Sequence, residues 1–406
     1  MSFRFMHLAN HGGKNIGNAA LIQGVESLLR EDLPFEATFL EEPWDLYSRH
    51  ELRFDERFVA RVNSESDALL VGGAVAFDGS SMYANAGFRL DLPLELWDRV
   101  ERPVVFYGLS YRGWPTWPYH HREALKATLD RILGSETMLF SVRNDGTKEW
   151  LGELLGLHSE RIHVVPDPGV FVPTADARHP ELEVGKLNVI VAPNAEDEMP
   201  RYGRAARKRS LRVPRGGSEL RNWLPVSSSW GWRESRATFL RELAGALARL
   251  GADHDLNLIF CAHDVFDIGM CYELFWLLPE QLRHRAVFAS ASLSNGNGPY
   301  FYDLYAKADL AISMRVHSMN PCVGLGTPVV PIVSQARMRA FMSDAGLGDL
   351  TVDLDEPGVG DAVYRFASNA LASPAEARAR LFEARGRLRE QASMFDSRVA
   401  TLLEAA

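Results

Sequence analysis

Ala308-Asp309-Leu310-Ala311-Ile312-Ser313-Met314-Arg315-Val316-His317 decides the fold of this chain. Its apolar run reads as a buried strand of a parallel sheet, and the run ends in a guanidinium and an imidazole two residues apart. A strand ending in that pair points to a pocket for an anion and a proton-transfer group. Ser318-Met319-Asn320-Pro321 then reads as a helix start, with Ser318 as cap and Pro321 tolerated in the first turn. Residues 315–328 suffice for a crossover to a parallel strand at Val329–Val333. The first amides of that helix would point where Arg315 and His317 point, which makes the convergence the strongest anion-site signal in the chain. The alternative is a buried Arg paired with an acid beside a core His.

The same alternation extends to both sides. Short β-rich runs near Phe3–Leu8, Phe35–Leu40, Ala68–Val71, Val104–Tyr107, Met138–Val142 and Ile162–Val165 alternate with helical segments, the signature of βα units. One such segment, Asn18–Arg30, carries Ala19, Ile22, Val25 and Leu29 at a helical period. A Pro-rich polar stretch from Pro173 to Gly185 separates these from a second series at Leu187–Ala192, Leu256–Cys261, Ala286–Ala289, Leu310–Met314, Val329–Val333 and Leu350–Val352. At 406 residues the chain exceeds what one core supports. The expected class is α/β, with two doubly wound domains over residues 1–175 and 176–373 and a helical tail over 374–406, rich in Ala, Arg, Glu and Leu.

Composition narrows the function. A net charge of −9 argues against a general nucleic-acid binder, so an anionic substrate needs locally placed Arg. Cys261, Cys271 and Cys322 have neither metal-ligand spacing nor a paired framework, which fits a reducing compartment. Arg4 and His7 interrupt the amino terminus before a signal-peptide core can form, and no apolar stretch is long enough to span a bilayer. The expected location is cytoplasmic, with contact to the inner face of a membrane as an option. That option comes from Arg201–Arg215, which holds seven cations and no acid and is followed by Trp223, Trp230 and Trp232. Its bland reading is a solvated insertion loop.

In open parallel sheets ligands bind beyond the carboxyl ends of the strands. After the first strand, Asn10–Asn18 is a Gly-rich loop entering a helix, without dinucleotide or Walker spacing; Asn15 and Asn18 could orient hydroxyls, and Gly17 allows close approach. Gly72, Gly73 and Gly108 end further strands. Arg143 ends the fifth, where a salt bridge to a neighbouring helix is the plainer account, and Asp167 reads as a turn cap. His263, Asp264 and Asp267 follow another strand; a capped helix start is simpler there than a metal site, and activation of an acceptor hydroxyl is a third option.

Taken in order, these pieces resemble the polysaccharide pyruvyl transferase family. The resemblance runs from Asn10–Asn18 through Asp67–Gly73, Tyr107-Gly108, Ser141-Val142-Arg143, Asp167-Pro168 and His263-Asp264 to Ala308–His317 and Gly326-Thr327-Pro328. It implies two Rossmann-like domains facing across a cleft, the glycosyltransferase-B arrangement, with phosphoenolpyruvate as donor and a sugar diol of a surface polysaccharide or its lipid-linked precursor as acceptor. It further implies Arg315 and His317 as the donor-site motif and Arg143 as the first-domain Arg, with Ser318 and Arg337 also on the donor side. Asn15, Gly17, Asn18, Gly72, Gly73, His263, Asp264 and Asp267 fall on the acceptor side. Asn18 stands where the family often has Asp, and Arg337 where Lys is common.

The chemistry suits the residues. Two Arg side chains and helix amides can neutralise the carboxylate and phosphate of phosphoenolpyruvate, and His317 is the natural general acid for its methylene carbon. No metal, nicotinamide or other cofactor is required. The other readings are a nucleotide-sugar glycosyltransferase on the same scaffold and a glycan-binding protein without turnover.

Overall fold

A computed structural model describes residues 2–114, 117–203, 227–289 and 295–406. In the first domain the apolar runs become β1 (Ser2–Ala9), β2 (Glu36–Pro43), β3 (Ala68–Gly72), β4 (Val75–Phe77), β5 (Val104–Tyr111), β6 (Met138–Arg143) and β7 (Ile162–Val165). They form a parallel sheet in the order β2-β1-β3-β5-β6-β7, with β4 alongside β5. The interior strands are apolar on both faces because helices cover both, and every residue of β3 is buried.

The second domain repeats the plan with β8 (Leu187–Ala192), β9 (Leu256–Phe260), β10 (Ala286–Phe288), β11 (Leu310–Ser313), β12 (Val329–Val333) and β13 (Val352–Asp353). Their order is β10-β9-β8-β11-β12-β13, again parallel. In each sheet the first strand of the domain is interior, β1 between β2 and β3 and β8 between β9 and β11, so the chain reverses its winding direction there. Such switch points leave a crevice at the carboxyl ends of the strands. The chain therefore has the expected α/β class, two Rossmann-like domains in a glycosyltransferase-B-like arrangement.

The tail is a single 31-residue helix, Pro374–Glu404, which follows Val359–Ala372. It packs on both domains rather than standing apart. Phe395 meets the Tyr107 ring edge-on at 5.2 Å, and Arg389 donates to Asp32 at 2.5 Å. Leu381, Leu388 and Val399 bury its apolar stripe.

Candidate active site

Loops after the strands of both sheets enclose a cavity of about 230 Å³. Asn10 follows β1, Arg112 follows β5, Asn194 follows β8, His263 follows β9, Arg315 follows β11 and Arg337 follows β12; all six line it. Arg89, Arg112, Arg315 and Arg337 outnumber Asp78 and Glu196 in its walls, although the chain as a whole is acidic.

His317 belongs to the helix Val316–Leu325, yet its backbone (φ −90°, ψ 20°) departs from helical values. Its Nε2 lies 3.6 Å from Asp167 Oδ2 and 3.5 Å from Arg143 Nη1, both from the first domain. Tyr302 Oη donates to its carbonyl at 2.8 Å. A Cβ on Gly17 would fall 2.8 Å from His317 Nδ1, so only glycine lets the first helix, Gly17–Asp32, close against the imidazole. Burial pushes the imidazole pKa below its ordinary value; Asp167 opposes that shift, while Arg143 and Arg337 add to it. Burial alone would raise the Asp167 carboxyl, but Arg143, His317 and the Gly169 N–H hold it down at about 2.

Arg315 is where expectation and structure diverge most. It lines the cavity, but its guanidinium holds the protein's own carboxylates: Nε and Nη2 donate to Asp267 at 2.8 and 2.7 Å, and Nη1 donates to Glu196 at 2.9 Å. Asp267, fully buried, also accepts the backbone N–H groups of Ala195, His263 and Asp264. These bonds fill its lone pairs, so Asp267 is an organiser of three loops and not an acceptor-side base. Ser318 is a second correction. The helix starts at Val316 with Arg315 in the cap position and no side-chain cap. The Ser318 hydroxyl is buried against the Arg315 carbonyl and the Ser313 hydroxyl, away from the cavity.

Arg337 has the opposite character. Its Nε donates to Gln335 Oε1 at 2.7 Å, and among the described residues no carboxylate oxygen comes within ion-pair distance of it. Burial lowers its pKa. Arg143 lies beneath the lining, 1% exposed. Its Nε donates to Gly108 C=O at 2.9 Å and its Nη1 to Asp167 at 3.2 Å, while Nη2 has no hydrogen-bond partner among the described residues. The partner is therefore a loop carboxylate and not, as expected for a structural salt bridge, a neighbouring helix. Gly108 makes this possible: at φ +60° it breaks the β5–β6 register and turns its carbonyl to the guanidinium.

On the first-domain side, Asn15 and Asn18 line the cavity, and Asn15 Oδ1 accepts the Gly17 N–H at 2.9 Å. Gly17 packs on His317 instead of offering a surface to a ligand. Gly72 and Gly73 lie outside the lining: a Cβ on Gly72 would meet His7, and one on Gly73 the backbone of Leu21. Both serve close packing under the first helix. His263 lines the cavity, with Nε2 2.7 Å from Tyr305 Oη and Nδ1 without a hydrogen-bond partner among the described residues. Burial pushes its pKa well down, and Arg315 and His317 add to the shift. Asp264 caps the helix Val265–Leu277 through the Phe266 N–H, so the capped-start reading holds.

Sequence reasoning missed Glu196, Asn194 and Arg112. Arg112 Nη2 reaches Glu196 and Asp197 at 2.9 Å each, tying first domain to second. The strand-end rule would have found Asn194 and Glu196, which follow β8 directly. Arg112 escaped because β5 runs past the Gly108 bulge to Tyr111. Asp167 does cap a turn, through the Gly169 N–H at 2.8 Å, but also faces His317. Of the basic run, Arg201 is 1% exposed and bonded to the Glu196 carbonyl and Ser334 Oγ, so it is no free arm. Residues 204–226, with the rest of that run and Trp223, lie outside the described residues, as does the Trp230 side chain; Trp232 packs on the second core.

Two Rossmann-like domains thus enclose an arginine-rich cavity with the His317 imidazole in its wall. The chain belongs to the polysaccharide pyruvyl transferase family, whose model matches residues 15–335, and it is accordingly a transferase. Among curated proteins no match is found. The chain is similar to solved structures of low identity. One is Staphylococcus aureus MnaA with UDP (12% identity, TM-score 0.48, 94% of this chain and 91% of that one). Another is a Listeria monocytogenes UDP-N-acetylglucosamine 2-epimerase, described as putative (13%, 0.45, 94% and 90%). A third is the Streptomyces sp. SF2575 glycosyltransferase SsfS6 with thymidine diphosphate (11%, 0.40, 95% and 98%).

Proposed function

We propose that this protein transfers the enolpyruvyl group of phosphoenolpyruvate onto a sugar diol of a polysaccharide or its precursor, releasing phosphate. The observation that carries the reading is a pair of under-satisfied guanidinium groups flanking His317: the Arg337 fork without a carboxylate, and the orphaned Arg143 Nη2. Both are near enough to depress the His317 pKa. Arg143 is buried and Arg337 half-buried, and a bound carboxylate or phosphate would supply further acceptors to both.

In this reading His317 delivers a proton to the methylene carbon, and one sugar hydroxyl attacks the resulting electrophilic carbon. A second hydroxyl then attacks the same carbon as the bond to the phosphate oxygen breaks. The two hydroxyl protons balance the one gained by carbon and the one carried off with phosphate. His317 is largely neutral at rest, so the donor itself must raise its pKa; a phosphate dianion beside the ring does so. Asp167 orients the ring and supports its charged form. Asn15 and Asn18 offer amides to the acceptor, and the neutral His263 is the candidate base. Arg315 positions the loops through Asp267 and Glu196.

The test is phosphate release from phosphoenolpyruvate by purified protein with glycans bearing vicinal or 4,6-diols. Release dependent on acceptor supports the reading, and wild-type rates in His317→Ala would sink it.

A further inference from the structure

The helix Val265–Leu277 turns a nearly uncharged face to solvent. Val265, Phe266, Ile268, Tyr272, Trp276 and Leu277 are each 42–66% exposed, while Met270, Cys271 and Leu274 face the core. At 100° per residue the exposed six share one half of the helix. A contiguous apolar surface of this kind, on the order of several hundred Å², marks an interaction site and not ordinary surface scatter. The acid on that half, Glu273, is neutralised by Arg236 through two bonds of 2.7 and 2.8 Å. At the far end Arg283 lies 5.3 Å over the Trp276 ring. Just beyond the helix Glu280 is exposed, so the patch itself is apolar while its rim carries both signs.

We propose that this face docks on the interfacial region of a lipid bilayer. Phe266, Tyr272 and Trp276 are the residue types that settle at the headgroup boundary, and the half-buried Arg283 guanidinium, held over the Trp276 ring with Nη1 on the Leu278 carbonyl, adds a positive charge beside them. A second copy of the chain is the poorer occupant, because one short helix face falls below the roughly 800 Å² per partner of a stable dimer. Position adds the functional argument. The helix starts at Val265, directly after Asp264 and His263, and His263 lines the cavity. A bilayer under the helix would bring a membrane-borne acceptor to the cavity mouth. Docking itself does not depend on the pyruvyl chemistry; only the presentation of such an acceptor rests on the proposed function.

Sedimentation of the full chain with sucrose-loaded phosphatidylcholine vesicles, with and without phosphatidylglycerol, tests the proposal against the triple variant Phe266→Ser/Tyr272→Ser/Trp276→Ser. Expected are binding by the wild type, a loss of roughly ten-fold or more in the variant, and an unchanged unfolding midpoint. Three results overturn it: no sedimentation of the wild type with either vesicle, equal sedimentation of the variant, or a wild-type dimer that the variant converts to monomer. Turnover of a soluble acceptor, measured beside it, reports separately on the chemistry.

Discussion

Arg315 and Arg337 stand after adjacent strands of the same sheet, β11 and β12, and line the same cavity. Their partners differ. Asp267 and Glu196 occupy all three nitrogens of Arg315, leaving it one hydrogen on each terminal nitrogen, whereas Arg337 has a single neutral amide acceptor. A guanidinium held by two carboxylates acts as a structural cross-link, whereas one without a carboxylate partner among the described residues is open to an anion from outside the chain. Location at a strand end brings a cation to the cleft. What it does there follows from the carboxylates that reach it.

The sharpest test removes His317, which lines the same cavity. His317→Ala should lower the rate of phosphate release by about 10²–10⁴-fold with little loss of folded protein, since general acid catalysis contributes on that scale. If turnover survives, neither arginine serves the reaction proposed. Next in size, Arg315→Ala strands two carboxylates, one of them fully buried, and should cost about 3–5 kcal/mol in denaturant unfolding. Arg315→Lys should rescue little, because an ammonium cannot reproduce the two-pronged bond to Asp267. A stable Arg315→Ala protein with weakened donor binding would reverse the roles of the two residues.

Arg337→Ala should do the converse: unfolding within about 0.5 kcal/mol of wild type, but affinity for phosphoenolpyruvate, measured by calorimetry, down about 10- to 100-fold. The smallest effect is in pH. Free His317 has a pKa below its ordinary value, and a bound dianion raises it. The fall of kcat with rising pH should therefore lie at higher pH than the corresponding fall of kcat/KM, and in Arg337→Ala the kcat/KM limb should itself move up. The Arg143–Asp167 link gives an acid-side control. Asp167 titrates at about 2 in the fold and near 4 when unfolded, so its stabilisation is complete above about pH 4 and is lost as pH falls towards 2.

Much of the fold was legible because the sheets are parallel and covered on both faces, which makes their strands uniform apolar runs. Ile162–Val165, Leu187–Ala192 and Val329–Val333 appear with the expected bounds. The misses have local causes. Val75–Phe77 is too short to show a period, and β5 continues through a glycine bulge that reads as a stop. At the far edge Leu350 closes a 3₁₀ turn, leaving only Val352–Asp353 as strand. The tail's helical character was plain, but not its return across both domains, because an amphipathic stripe does not name the surface it covers.

By itself the sequence determined two parallel-sheet domains, the strand ends that meet at the cavity, and the pairing of Arg315 with His317 in a family motif. These follow from hydrophobic runs and turn chemistry, which act between near neighbours in the chain. Only the tertiary structure decided which arginine is spent and which is free, which asparagines face the cavity, and that His317 draws its partners from the opposite domain. Charge pairing acts through space: Arg315 meets Asp267 across 48 positions and Glu196 across 119, and His317 meets Arg143 across 174. No local pattern encodes such distances, so the roles of the cations became readable only once the two sheets had closed on one another.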